Sequence, residues 1–532
     1  MELNLADLFE SVADSVPDRL AMVAGERRLT YAALDERSDR LADVLRRAGV
    51  GHGDFVGIQV PNGDEYIEAM LASFKLRAVP VNVNYRYVGA ELRHLYADAG
   101  LVALVHHVDF AAQVADAIDA MAERKAILTV GPGGSYEQLL ATAMPSRSYP
   151  PRSADDLYCV YTGGTTGLPK GVLWRQEDIF FAAMGGGDPF QFGDHISRAE
   201  ELRGRIPDAG LVALPVPPFM HAAAHWLAFS VFFGGGTIVT LPMGHFDART
   251  TWQLVAAERV NVLVVVGDAM ARPLLDVLEA GPDEFDLSSL MALGSGGALL
   301  SPSTKARLRR LRPDLVVRDA FGSSETGQLG GEAPADDPDG PPRLRVDERT
   351  SVLDDDLRHV VAGSGVVGRL ARGGRIPLRY LGDPDKTAAT FVEVDGVRWA
   401  LPGDLATIEA DGTIVVLGRS SQCINTGGEK VYPEEVEAVL KSHPDVADTV
   451  VVGAPDDTLG QAVCAVVQPR PGTEPTLESL RDAARGNLAG YKLPRRVVLV
   501  DRVERSPAGK PDQRWAAAVA AAAATTTGTP PS

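Results

Sequence analysis

Tyr161-Thr162-Gly163-Gly164-Thr165-Thr166-Gly167-Leu168-Pro169-Lys170-Gly171-Val172 is the stretch from which the rest of the chain can be read. Its glycines allow close approach of the backbone to a ligand and positive φ, its threonines supply hydroxyl donors, and Lys170 supplies a full positive charge. That combination suits a phosphate cradle. It is not the Walker loop, because Pro169 precedes the lysine and Gly171 follows it where Gly-Lys-Ser/Thr is required. Residues 156–161 just ahead read as a strand, and a strand ending in a Gly-rich loop is where α/β sheets bind ligands. A plain connection between two strands has the same composition, so the loop alone leaves both readings open.

Working outward, 532 residues exceed one ordinary domain, and a hydrophobic content of 45% is ample for real cores. The formal net charge of −19 argues against a nucleic-acid partner, whose phosphates select basic surfaces. An anionic substrate must therefore be met by locally placed cations, backbone N–H groups or a metal. Three cysteines, Cys159, Cys423 and Cys464, form no CxxC pair, which disfavours a disulfide framework or zinc knuckle and suits the reducing cytoplasm. The N-terminus lacks a basic region followed by an apolar core, so no secretory signal is expected. Residues 227–243 come nearest to a membrane span, but Gly234-Gly235-Gly236 interrupts them, and a buried helix-turn-strand is expected instead.

Apolar residues at helical spacing over 33–47, 64–74, 90–97 and 111–121 alternate with strand-like runs at 55–60, 79–83, 102–105 and 126–130. The alternation resumes with helices over 252–258, 269–279 and 302–311 and strands over 260–266 and 315–320. It predicts an α/β fold whose large N-terminal domain is built of doubly wound sheets, parallel with helices on both faces. From about 346 short strands with glycine turns suggest a β-rich subdomain. After Gly418-Arg419 the pattern starts afresh as a small α+β unit, expected to be mobile. The expected division is a large domain over 1–418, a small domain over 419–515, and a low-complexity Ala/Thr/Gly/Pro tail over 516–532 with nothing to bury.

Four further clusters carry chemistry. Phe321-Gly322-Ser323-Ser324-Glu325-Thr326 again ends a predicted strand; its carboxylate among small hydroxyls suits a Mg²⁺ ligand shared with phosphates, and Phe321 could stack on a purine. A polar turn explains it equally well, and the missing final glycine of GxSxG leaves a serine hydrolase remote. Asp404 could accept both hydroxyls of a ribose. Arg419, followed by Gly427-Gly428-Glu429, sits at the expected domain boundary. Lys510, on the turn 505–511, matters only if the small domain folds back over the phosphate loop. Two decoys stand beside these. Gly363-Ser364-Gly365-Val366-Val367-Gly368 satisfies GxGxxG, but no amphipathic helix opens after it. His221 and His225 have metal-pair spacing without the glutamate of HExxH, and a pocket wall is the better expectation.

In order and spacing these clusters resemble the adenylate-forming superfamily of acyl-CoA synthetases, luciferases and peptide-synthetase adenylation domains, over nearly the whole chain. The resemblance implies two half-reactions: a carboxylate attacks the α-phosphate of ATP, and CoA then displaces AMP from the acyl adenylate. It implies ATP binding by Thr162, Gly163, Gly164, Thr165, Thr166 and Lys170, with Gly296, Gly297, Phe321, Gly322 and Ser324 around the nucleotide. Asp404 and Arg419 would hold the ribose. Glu325 would hold Mg²⁺, and Lys510, Glu325 and Thr166 would be catalytic. Gly428 and Glu429 would face CoA once the small domain has turned. Ser324 stands where Thr is usual and keeps the hydroxyl; Ser421 stands at the hinge where Asp or Lys is common.

For the acid, Phe219 is followed by Met220-His221 and not by the aspartate of amino-acid-activating members. Phe219, His221, Trp226, Gly297 and Ala298 are the expected pocket residues, apolar and rich in small side chains, with room for a bulky hydrophobic acid. Residues 173–179, 267–273 and 505–515 resemble the actinobacterial branch of fatty-acid and steroid side-chain CoA ligases. A steroid side-chain acid is favoured, with a long-chain fatty acid as the alternative. A homodimer is left open. The rival classes are a catalytically idle paralogue that only binds, and a nicotinamide oxidoreductase resting on the GxGxxG decoy.

Overall fold

A computed structural model describes residues 3–162, 168–188, 195–244, 246–298, 300–332, 343–419, 422–426, 429–456, 459–485, 487–488, 490–506 and 509–526. The expected ligands Gly163, Gly164, Thr165, Thr166 and Gly428, and the hinge residue Ser421, lie outside the described residues, as does the side chain of Arg419.

The architecture is mixed α/β in three sheets, in keeping with the expected doubly wound sheets, β-rich subdomain and small α+β domain. The first has seven strands. Val79–Asn82, Phe55–Gln59, Leu101–His107 and Ala126–Val130 run parallel, Leu157–Thr162 joins them in the same sense, and Lys170–Arg175 and Arg379–Tyr380 close the edge antiparallel. The second has fifteen strands. Its parallel half includes Val262–Val265, Ala292–Gly296 and Val316–Ser323, and from Gly327–Glu332 onward its strands pair antiparallel as far as Phe391–Val394. Hydrophobic alternation reports that a strand is half or fully buried, not which sheet receives it. The third sheet, five strands from Ile424–Thr426 to Arg496–Leu499, forms the C-terminal domain.

The largest apolar cluster gathers Leu5, Phe9, Tyr31, Phe74, Trp174, Phe219, Phe229 and Phe232. Polar atoms inside it are tied off. Tyr31 Oη donates to the carbonyls of Phe232 (3.0 Å) and Gly236 (2.7 Å), and Trp174 Nε1, from the first sheet, donates to Ser324 O at 3.0 Å beside the second. The run 227–243 resolves as helix Ala222–Phe233 and strand Thr237–Thr240, both buried, and no helix among the described residues is long and apolar enough to cross a membrane. The GxGxxG decoy leads into strand Gly368–Gly373 instead of a helix.

The tail corrects a second expectation. Helix Gln513–Thr526 continues past the boundary set at 515. Alanine has the highest helix propensity, and with four-residue spacing Ala516 and Ala520 fall on one face, fully buried against Val450, Val452, Cys464 and Val466. Small side chains that looked too poor to bury are what allows the helix to lie close on the strands.

Three N-terminal helices meet on one buried charge. Lys75, at the end of helix Asp64–Lys75, is 0% exposed and lies 2.8 Å from Asp35, 2.6 Å from Asp39 and 3.1 Å from Glu10. Burial works against its ammonium, but Asp35, Glu10 and Asp39 outweigh it and hold its pKa above the ordinary lysine value. Arg147 on Asp35 (2.5 Å) and Arg152 on Glu10 (2.8 Å) balance the remaining carboxylate charge. Lys75→Met strands buried carboxylates without their cation and is expected to lower unfolding free energy by about 3–5 kcal/mol, read from urea unfolding curves.

Candidate active site

The strand Leu157–Thr162 and the strand Lys170–Arg175 pair antiparallel in register Thr162 opposite Lys170, so both ends of the phosphate-loop candidate are fixed. Asn82 sets where that end points. Its Nδ2 donates to Tyr161 O (2.8 Å) and Met220 O (2.7 Å), and its Oδ1 accepts from Tyr161 N (2.7 Å). One buried amide thus ties the loop to the segment that carries His221. Sequence reading passed over Asn82, although a polar residue inside the apolar run Val79–Val83 was the available signal.

Lys170 Nζ forms a 2.6 Å ion pair with Asp383 and stands 5.9 Å from the centre of the Tyr380 ring. Tyr380 arrives through the edge pairing of Arg379–Tyr380, Tyr380 opposite Val172, and its Oη donates to Glu325 Oε1 at 2.8 Å. Tyr380 and Asp383 were also missed, because each belongs to the site only through this late edge strand. They connect the loop exit to Glu325: Lys170 and Asp383 stand 213 residues apart in the chain and meet only by folding. Around Glu325 the turn is tight. A Cβ added to Gly322 would stand 2.2 Å from Gly327 O, so only glycine fits. Ser323 N donates to Thr326 Oγ1 (3.0 Å), and Ser324 O takes the Trp174 indole. Phe321 is half-buried on the cluster of Leu329 and Leu344.

Asp404, 7% exposed, opens strand Asp404–Ile408 directly opposite Arg419, the last residue of strand Ile414–Arg419. Gly418 beside it has φ +123°, and a Cβ there would meet Glu434 Oε2 at 2.3 Å, which makes the passage into the C-terminal domain glycine-dependent. Glu429 is exposed at the start of strand Glu429–Val431.

The C-terminal domain brings Lys510 to the large domain. A Cβ on Gly297 (φ +85°) would lie 3.6 Å from Lys510 Cε, and one on Gly509 would lie 3.2 Å from Val266 O. Lys510 is exposed, and its turn is closed by Ser506 N donating to Lys510 O at 2.7 Å. His221 feels its charge. His221 is half-buried, and its Nε2 is sealed from solvent with no hydrogen-bond partner among the described residues. Burial first, then Lys510, Arg86 and His225, lower its pKa to about 3. His221 is therefore neutral at any working pH.

The expected pocket residues divide. His221, Ala222, Ala223, Gly296, Gly297 and Ala298 are partly exposed around Lys510's end of the site, and a Cβ on Gly296 would meet that of Ala223 at 3.8 Å. Phe219 and His225 correct the expectation of a pocket wall. Phe219 is 0% exposed and packs on Tyr66 with ring centres 5.5 Å apart. His225 Nδ1 donates to Phe219 O (2.7 Å) and its Nε2 accepts from Tyr158 Oη, a core histidine satisfied on both nitrogens. Trp226 is buried with Nε1 on Tyr158 Oη at 2.8 Å. Helix Ala222–Phe233 is apolar on every face, so periodicity could not say which of its side chains turn inward.

Comparison with known proteins places this geometry. The profile of the AMP-binding enzyme family matches residues 9–378, and that of the AMP-binding enzyme C-terminal domain matches residues 435–510. Among similar relatives, the 3-oxocholest-4-en-26-oate–CoA ligase of Rhodococcus rhodochrous is 46% identical, covering 97% of this chain and 96% of its own. The medium/long-chain-fatty-acid–CoA/3-oxocholest-4-en-26-oate–CoA ligase of Mycobacterium marinum is 47% identical with the same coverage of 97% and 96%. The crystal structure of the anthranilate CoA ligase AuaEII in complex with anthranoyl-AMP shares the fold at a TM-score of 0.85 over 98% of both chains, with 20% identity.

A histidine kept neutral by folding but protonated when unfolded costs stability as acid is added. The unfolded side chain titrates near about 6.5, the folded one near about 3, so the contribution of His221 is complete above the first value and is lost as pH falls between them. In His221→Asn the drop in unfolding free energy from pH 6.5 to pH 4.5 should be smaller than in the unmodified chain by about 1–2 kcal/mol, measured by denaturant titration at each pH.

Proposed function

This chain belongs to the AMP-binding enzyme family, and on that premise we propose the reaction that its site performs. It is an acid–thiol ligase. A carboxylic acid attacks the α-phosphate of ATP to give an acyl adenylate and pyrophosphate, and the thiol of CoA displaces AMP to give the thioester. The observation that carries the assignment is the approach of Lys510 to Gly297 and His221 from a different domain. Displacement at phosphorus needs charge neutralisation and positioning more than covalent help, and Lys510 brings a cation to the place where carboxylate and phosphate meet.

The remaining groups take their parts from position. Thr162 and Lys170, with residues 163–167 between them, hold the outer phosphates; the Asp383 partner keeps Lys170 at the loop exit. Asp404, opposite Arg419, binds the ribose. Glu325 suits Mg²⁺, which binds through one or two carboxylates plus substrate phosphates, and Tyr380 orients the carboxylate from Oε1. When bound, that ion would neutralise charge developing on the phosphates. The wall of Ala222, Ala223, Gly296, Gly297 and Ala298 leaves space beside Lys510 for a bulky apolar acid. A steroid side-chain acid is the first choice and a medium- or long-chain fatty acid the second, since relatives at 46% and 47% identity carry those substrates in their names. The site draws on cytoplasmic ATP and CoA. For thioester formation the C-terminal domain turns about Gly418, withdrawing Lys510 and presenting Glu429.

Incubation with ATP, Mg²⁺, CoA and a panel of carboxylic acids tests the assignment. AMP and pyrophosphate should appear only with acid, most efficiently with 3-oxocholest-4-en-26-oate; the absence of AMP with every acid, or turnover of NADH instead, would overturn it. Lys510→Ala should slow adenylate formation by about 100-fold or more while leaving thioester formation from a supplied acyl adenylate within about twofold. Equal loss of both half-reactions would contradict the two-orientation mechanism.

A further inference from the structure

One side chain of the large domain is buried in hydrogen bonds to the C-terminal domain. Arg272, on helix Gly267–Ala280, donates from Nη1 to Ala447 O (2.5 Å) and Val446 O (3.5 Å) and from Nη2 to Lys441 O (3.1 Å). Its Nε lies 3.2 Å from Asp268 on the same helix, and the side chain is only 11% exposed. The acceptors on the C-terminal domain are all backbone carbonyls; on its own domain Arg272 also donates to Ser303 Oγ and Thr304 Oγ1, both at 3.4 Å. Lys441 caps the C-terminal end of helix Pro433–Leu440, where unpaired carbonyls concentrate negative partial charge and favour a cation.

From these carbonyls the contact runs directly to the catalytic turn. Asp448, next after Ala447, takes a two-point ion pair from Arg505, Nε to Oδ2 and Nη2 to Oδ1, both 2.7 Å. Arg505 Nη1 then donates to Gly509 O at 2.8 Å, one residue before Lys510. Gly509 in turn rests on Val266, immediately before the helix that carries Arg272. The loop closes on itself: the same helix start that receives Gly509 grips the strand on which the Lys510 turn is hung.

We propose that Arg272 is a positioning residue that clasps the C-terminal domain in the orientation presenting Lys510, and so serves adenylate formation and not thioester formation. The proposal rests on the two-step reaction assigned above. Three charge-assisted hydrogen bonds from one guanidinium join the two domains in this orientation, and all must be released when the domain turns.

The test compares Arg272→Ala and Arg272→Lys with the unmodified chain in acid-dependent ATP–pyrophosphate exchange, thioester formation from a supplied acyl adenylate, and small-angle X-ray scattering without substrates. R272A should slow exchange about 10- to 100-fold, leave thioester formation within about twofold, and raise the radius of gyration. R272K, which keeps the charge but not the fork, should fall between. Parallel loss of both half-reactions in folded protein, or no loss of either, overturns the proposal. Should R272A fail to fold, R272K carries the same comparison. If the unmodified chain shows no exchange with any acid, the reaction assignment fails, and the scattering comparison alone still decides the clasp.

Discussion

The close approach of Gly509 to Val266 and of Lys510 to Gly297 is the constraint on which the site depends. A Cβ on Gly509, where φ is +74°, would stand 3.2 Å from the Val266 carbonyl, tighter than an ordinary contact, so the C-terminal domain meets the large domain here through bare backbone. Everything else on the large domain is arranged to make that arrival productive. Asn82 holds the loop strand and the His221 segment together, Tyr380 steadies Glu325, and Asp383 steadies Lys170. Without the arrival these are three polar contacts on a sheet edge.

Electrostatics explains why the contacts take this form. A chain with net charge −19 repels a polyanion such as ATP at long range, so binding has to be won locally. The cations at the site are each anchored. Lys170 is held by Asp383, and the Lys510 turn by Arg505, whose own charge is balanced by Asp448. Lys510 also keeps His221 neutral, adding to burial, so this cation faces an uncharged neighbour. The buried Lys75 cluster shows the same habit in a purely structural setting, where one ammonium organises carboxylates from three helices.

Much of this was legible beforehand, for a physical reason particular to each feature. The strand before the phosphate loop, the strand before Glu325 and helix Pro302–Leu311 were evident because their hydrophobic periods are local. The tail helix was missed because an alanine run reads as low complexity until a surface exists for Ala516 and Ala520 to lie on. His225 was read as pocket because its helix is apolar all round and gives no facing, and Phe219 because the segment leading into that helix carries no period of its own. Arg272, Tyr380 and Asn82 were passed over because each is an unremarkable residue whose partners come from distant segments.

The sequence by itself therefore determined the chemistry available: a Gly/Thr loop with a lysine, a carboxylate among hydroxyls, a ribose-ready aspartate and a lysine on a terminal turn, in an order that a single family shares. These are properties of residue type and spacing, carried by the covalent chain. Only the tertiary structure decided which of these groups meet, how the alternating strands divide between the sheets, and that Arg272, 238 residues before Lys510 in the chain, donates to the C-terminal domain. Those outcomes depend on hydrogen bonds and close packing between segments far apart in the chain, and such contacts leave no period or motif in either segment alone.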